Sequence, residues 1–171
     1  MHLAIILLRL IHVLSGIFWV GTVLFNTFYL FPVLAAAGPA AAPVMAGLQR
    51  RRLMTALPIA ALLTIASGAA LFWLVSGGSV AAFSHSRTGA TLAGSALLAI
   101  AGFLIGMFVT RPAALEAGRL GRELASLSAG PDREALQRRM AALQRRSATG
   151  SSIMTVLLLG AAAGMAVARY L

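Results

Sequence analysis

Residues 4–34 read AIILLRLIHVLSGIFWVGTVLFNTFYLFPVL. A helix that crosses a bilayer needs about 20 mostly apolar residues. This run is longer than that, and Arg9 and His12 are its only basic side chains. It can span with tilt or protrude on one side. It continues well past the apolar core of a signal peptide and has no clean cleavage site before Gly38, so it reads as a retained helix. Three further runs have the same character, at about 53–75, 90–109 and 152–170. Pro58 lies near the start of the second, where a missing N–H does least harm. The fold expected is an all-α, four-helix transmembrane bundle in a single domain spanning 1–171.

Composition agrees. Of 171 residues, 60% are hydrophobic and 11% charged, and the mean hydropathy is +0.90. Soluble domains carry about 25% charged residues, so an ordinary soluble domain and a disordered chain are both excluded. There are 0 cysteines, which excludes disulfides, thiolate metal sites and cysteine nucleophiles.

The net charge of +10 would suit a nucleic-acid surface. Sorted by position, it is a topology signal instead. Arg50, Arg51 and Arg52 lie between the first two runs. Arg111, Arg119, Arg122, Arg133, Arg138, Arg139, Arg145 and Arg146 lie between the last two. Both loops fall on one side of an up-down bundle, and Arg-rich loops stay in the cytoplasm. Both termini and the short loop at 76–89 then face outward, into the periplasm if the membrane is a bacterial inner membrane. No nucleic-acid partner is needed; the lipid bilayer is the expected partner.

The long third loop is not plain linker. Residues 112–127 hold good helix formers, and Ala129-Gly130-Pro131 interrupts them. Asp132 and Glu134 then open a second helix, where acids favour the first turn. Leu136, Met140 and Leu143 share one face of it. A cytoplasmic helical hairpin at about 112–146 should therefore extend the third and fourth membrane helices. Its arginines meet anionic lipid heads.

Small residues let helices approach in lipid. Gly102-x-x-x-Gly106 and Gly160-x-x-x-Gly164 supply them, with Gly94 read as continuing the first stripe. They suit packing within the bundle, a homodimer face, or both.

Ionisable residues inside an apolar segment read as functional by default. His12 is such a residue, about nine residues into the first run and hence roughly 13 Å deep at 1.5 Å per residue. Arg9, Ser15, Gly16, Trp19, Thr22 and Asn26 fall on about the same helix face. Arg9, His12, Trp19 and Asn26 thus form a polar stripe toward the bundle interior, and Gly16 leaves a gap where a flat cofactor could lie. Three chemistries fit. Haem b is held in membrane helices by histidine imidazoles; His12 would be the axial ligand, Arg9 would meet a propionate, and Met165, His85 or a second copy's His12 could supply the other ligand. Copper(I) takes imidazole and thioether ligands, with His12, Met165 and His85 as a path, although the methionines show no sequence cluster. The third is a cofactor-free accessory subunit in which His12 hydrogen-bonds a neighbouring helix. Paired-carboxylate catalysis within the membrane is excluded, because Glu116, Glu123, Asp132 and Glu134 all lie in the third loop.

The segment Ile11-His12-Val13-Leu14-Ser15-Gly16-Ile17-Phe18-Trp19-Val20-Gly21, followed by Asn26, Phe28 and Pro32, resembles the first helix of the copper-resistance protein D superfamily of bacterial membrane proteins. That group includes the membrane part of membrane-bound urate oxidase and, more distantly, J-type protoporphyrinogen oxidase. Arg50-Arg51-Arg52-Leu53 is similar to the Arg-rich start of its second helix. The resemblance implies a four-helix unit that binds haem b through His12. It also implies membrane redox chemistry, or in some members copper handling. A quinone or a periplasmic protein is the electron partner expected for such redox chemistry. The chain departs from the J-type pattern in having no lysine and no histidine on its third helix.

Overall fold

The computed structural model describes residues 2–128 and 130–171, apart from the side chains of Pro39, Ala42 and Ala125. Among them there are helices and turns but no strand. The helices are α1 (His2–Phe25), α2 (Phe31–Ala37), α3 (Ala42–Arg50), α4 (Leu53–Val75), α5 (Val80–Ser84), α6 (Arg87–Ile105), α7 (Arg111–Ser126) and α8 (Pro131–Val167). A π-turn at Asn26–Leu30 joins α1 to α2, and another at Gly106–Thr110 joins α6 to α7.

Four rods result: His2–Ala37, Leu53–Val75, Arg87–Leu124 and Pro131–Tyr170. Each is long and apolar enough to cross a bilayer. Only 6% of the first rod's apolar stretch is buried in the bundle. Its outer face (Ile6, Leu10, Val13, Ile17 and Phe18 among others) is exposed. Such a surface cannot face water, and the chain is a multi-pass membrane protein. As expected, the third and fourth rods run on past their apolar parts as a helical hairpin, and its second arm is continuous with the last membrane helix.

The loops carry structure of their own, and two local expectations need correction. In the first loop α3 runs up to the Arg run. Arg52 then takes a left-handed conformation (φ 55°) to reverse the chain into α4. The second loop contains α5, and α6 starts at Arg87, where the Ser86 hydroxyl caps it by accepting from the Gly89 N–H at 3.0 Å. Gly94 does not extend the stripe of Gly102 and Gly106: among the described residues nothing lies within 4 Å of a Cβ built there. Eight residues turn a helix by about 800°, which leaves Gly94 roughly 80° off that face.

The bundle is built from two tight pairs, α1 with α4 and α6 with α8. In the second pair glycines receive bulky partners from both sides. A Cβ on Gly102 would sit 3.3 Å from Leu158, and one on Gly160 would sit 3.3 Å from Leu98. Gly164 lies directly against the Ser95 hydroxyl. The glycine stripes are thus used inside the bundle. The pairs meet through Trp19, which packs edge-on to Phe103 with ring centroids 6.4 Å apart. The Thr155 hydroxyl also donates to Thr27 across 3.1 Å.

The hairpin closes on Leu120 and Leu124 of α7, both buried. Met140 of α8 lies 3.9 Å from where Gly121 would carry a Cβ. Arg119 grips Glu116 with two hydrogen bonds, of 2.9 and 2.8 Å, and Arg139 of α8 reaches the same carboxylate at 3.0 Å. The hydrogen bond from Arg119, with the charges of Arg119 and Arg139, holds the Glu116 carboxyl below the usual carboxylate range.

Candidate functional site

The stripe of polar residues on α1 divides between two places. The outer one is centred on His12. Its Nδ1 lies 2.8 Å from the carbonyl oxygen of Thr64 on α4, and an oxygen acceptor there requires the proton to be on Nδ1. In the neutral ring Nε2 then keeps its lone pair. The ring rests on Gly68, where a Cβ would come within 2.8 Å of His12 Cε1. Below it, the Thr64 hydroxyl donates to Ser15 at 2.8 Å, and Ser15 donates onward to the Ile11 carbonyl. An oriented imidazole whose Nδ1–H is anchored on a backbone carbonyl is the state in which histidine binds metals. It is equally a satisfied helix-packing histidine.

The neighbours expected of His12 are arranged as follows. Gly16 faces α4, with the Thr64 methyl 3.5 Å from where its Cβ would be. The space beside Gly16 is therefore occupied by that methyl group. Arg9 is exposed one turn toward the N-terminus. His85 is exposed beside α5, and Met165 is half-buried near the end of α8. Among the described residues, no three His, Asp or Glu side chains come together in a way that would hold a metal ion.

The inner place is a cavity of about 100 Å³ between the two helix pairs, at the end where the Arg-rich loops lie. Trp19 and Asn26 line it, and His12 does not. Asn26 is 8% exposed. Thr110 and Arg111 line the cavity from the opposite wall. The Thr110 hydroxyl is buried without a partner among the described residues. It is let in by Gly150, where a Cβ would come within 2.7 Å of it. Arg111 gives one long bond, 3.4 Å from Nε to the Met54 carbonyl, and forms no ion pair among the described residues.

Both π-turns have the same cause. Pro32 and Pro112 lack an N–H and crowd the carbonyl four residues back. The chain widens by one residue, so that the Phe31 N–H bonds the Asn26 carbonyl and the Arg111 N–H bonds the Gly106 carbonyl. Such turns recur at functional sites in helices. Here they carry Asn26 as the first residue of one and Thr110 as the last of the other. Sequence reading missed Thr64, Gly68, Thr110 and Arg111. The signal for the last two was the paired Phe28-x-x-x-Pro32 and Phe108-x-x-x-Pro112 pattern inside apolar runs.

Comparison with known protein families, curated proteins and solved structures finds no match to this chain.

Proposed function

We propose that this is a bacterial inner-membrane protein that binds haem b through His12 and serves electron transfer or membrane redox chemistry near the periplasmic surface. The observation that carries the reading is the anchoring of His12 Nδ1 on the Thr64 carbonyl at 2.8 Å, which leaves Nε2 as a ready axial donor. His12 would hold the iron, Gly68 would keep the imidazole in place, and the exposed Arg9 would pair with a propionate. Bound haem would supply one-electron chemistry. Trp19 and Asn26 lie deeper, in the cavity, and do not form the haem pocket in this reading. His85 and Met165 remain the candidate second ligands within the chain; a five-coordinate iron needs neither. The Arg-rich loops support the orientation, with both termini in the periplasm. The electron partner would be a membrane quinone or a periplasmic protein.

Copper binding is the second reading, and one observation favours it. Met54, Met107 and Met154, far apart in sequence, line the same cavity, and thioethers suit copper(I). The positive charge of Arg111 in that wall works against a cation, which places this reading second. Iron and copper determination on mildly purified protein separates the two. The haem reading expects iron near one per chain, lost in His12→Ala, with copper absent. Stoichiometric copper without iron refutes it.

A further inference from the structure

The inner cavity is lined by groups that ask for a particular guest. Its polar groups are the Thr110 hydroxyl, buried without a partner among the described residues, the side chain of the buried Asn26, and the Arg111 guanidinium, whose one bond is the long one to the Met54 carbonyl. All three can donate, and among the described residues no carboxylate pairs with Arg111: Glu116 is taken by Arg119 and Arg139, and Glu123 by Arg119. The rest of the wall is apolar, with Trp19, Phe103 and Leu57 prominent. Arg111 lies where the apolar part of the third rod gives way to the hairpin, at the level of lipid head groups. One water needs about 10–15 Å³ by the same kind of measure, so a space of about 100 Å³ accepts a small head group and the first part of a chain.

We propose that this cavity binds the anionic, acceptor-only head of a single-chain amphiphile, a carboxylate or a phosphate, with Arg111 as counter-ion and Asn26 and Thr110 as hydrogen-bond donors. A guanidinium pairs with such heads through two parallel bonds. The apolar tail runs toward Trp19 and Phe103. The site is separate from His12 and stands whether or not haem binds there.

Trp19 is a built-in reporter. The chain has 2 tryptophans, and the other, Trp73, is exposed on α4. In a Trp73→Phe background, full-length protein in nanodiscs is titrated with 9,10-dibromostearate, whose bromines quench a nearby indole. The expected result is saturable quenching that is reversed by unlabelled oleate or by lysophosphatidate. The more effective competitor identifies the head as carboxylate or phosphate. Arg111→Gln should raise the half-saturating concentration at least tenfold, and Asn26→Leu and Thr110→Val a few-fold each. Thr110→Ser, which keeps the hydroxyl, should bind like the parent. The matching dibromo-alcohol, which has no charge, should quench without saturation. Quenching that is linear in probe, equally strong with the alcohol, or unchanged by Arg111→Gln overturns the proposal in favour of ordinary lipid contact. Should Arg111→Gln fail to fold, the acid-against-alcohol comparison on the parent protein decides alone.

Discussion

The imidazole of His12 lies on Gly68: a single methyl group added at that glycine would stand 2.8 Å from the ring carbon Cε1. The two helices of the N-terminal pair are thereby locked at one point, with the Thr64 carbonyl holding the ring from one turn away.

Gly68→Ala should accordingly push the ring off its seat. Overpacking of this kind costs about 1–3 kcal/mol, and the thermal midpoint in detergent should fall by several degrees. Gly16→Ala is the matched control on the facing helix. Its Cβ would make only an ordinary 3.5 Å contact with Thr64, so its melting curve should stay close to the parent's. Equal losses in the two variants would contradict the His12 geometry.

The α6–α8 pair makes an equally sharp contrast. Gly164→Ala drives a Cβ into the Ser95 hydroxyl and should destabilise. Gly94→Ala points into open space and should stabilise by about 0.4–1 kcal/mol, by restricting the unfolded chain. Thermal unfolding of the two single variants checks both signs.

Thr110→Val separates stability from binding. A buried hydroxyl without a partner costs about 1–3 kcal/mol of desolvation, and valine has nearly its shape. The variant should be at least as stable as the parent while it binds the anionic probe less well. A large loss of stability would mean that the hydroxyl has a partner within the fold.

The hairpin should loosen in acid. The folded-state pKa of Glu116 is lowered, chiefly by its hydrogen bond with Arg119. The stabilisation is therefore fully present above the unfolded value, about 4.3, and is lost as pH falls through the lower folded value. A nitroxide on Ser128→Cys, at the hairpin turn, should become more mobile below about pH 4 and stay constant between pH 6 and 8. Glu116→Gln should be mobile throughout. With 0 native cysteines, the same variant also tests orientation: a membrane-impermeant maleimide should reach Ser128→Cys only from the cytoplasmic side and Ser79→Cys only from the periplasm.

The coarse architecture was legible because apolar length and Arg placement are properties of whole segments. The four rods and the hairpin depend on no single contact. The site was legible only in part, since helical periodicity puts His12, Trp19 and Asn26 on one face but says nothing about the opposing helix. Thr64 and Gly68 became partners of His12 through the register of α1 against α4, which small side chains on both helices set. Gly94 misled because a four-residue spacing drifts around the helix when extended by eight. The cavity was invisible because it depends on two proline-induced π-turns that line it from opposite walls, and on Gly150 admitting Thr110.

The most direct test of the central claim is the visible absorption spectrum of detergent-purified protein after haem-replete expression. The account predicts a Soret band that is present in the parent protein, lost in His12→Ala and weakened in Gly68→Ala. A colourless parent protein, or a Soret band that survives His12→Ala unchanged, would contradict it.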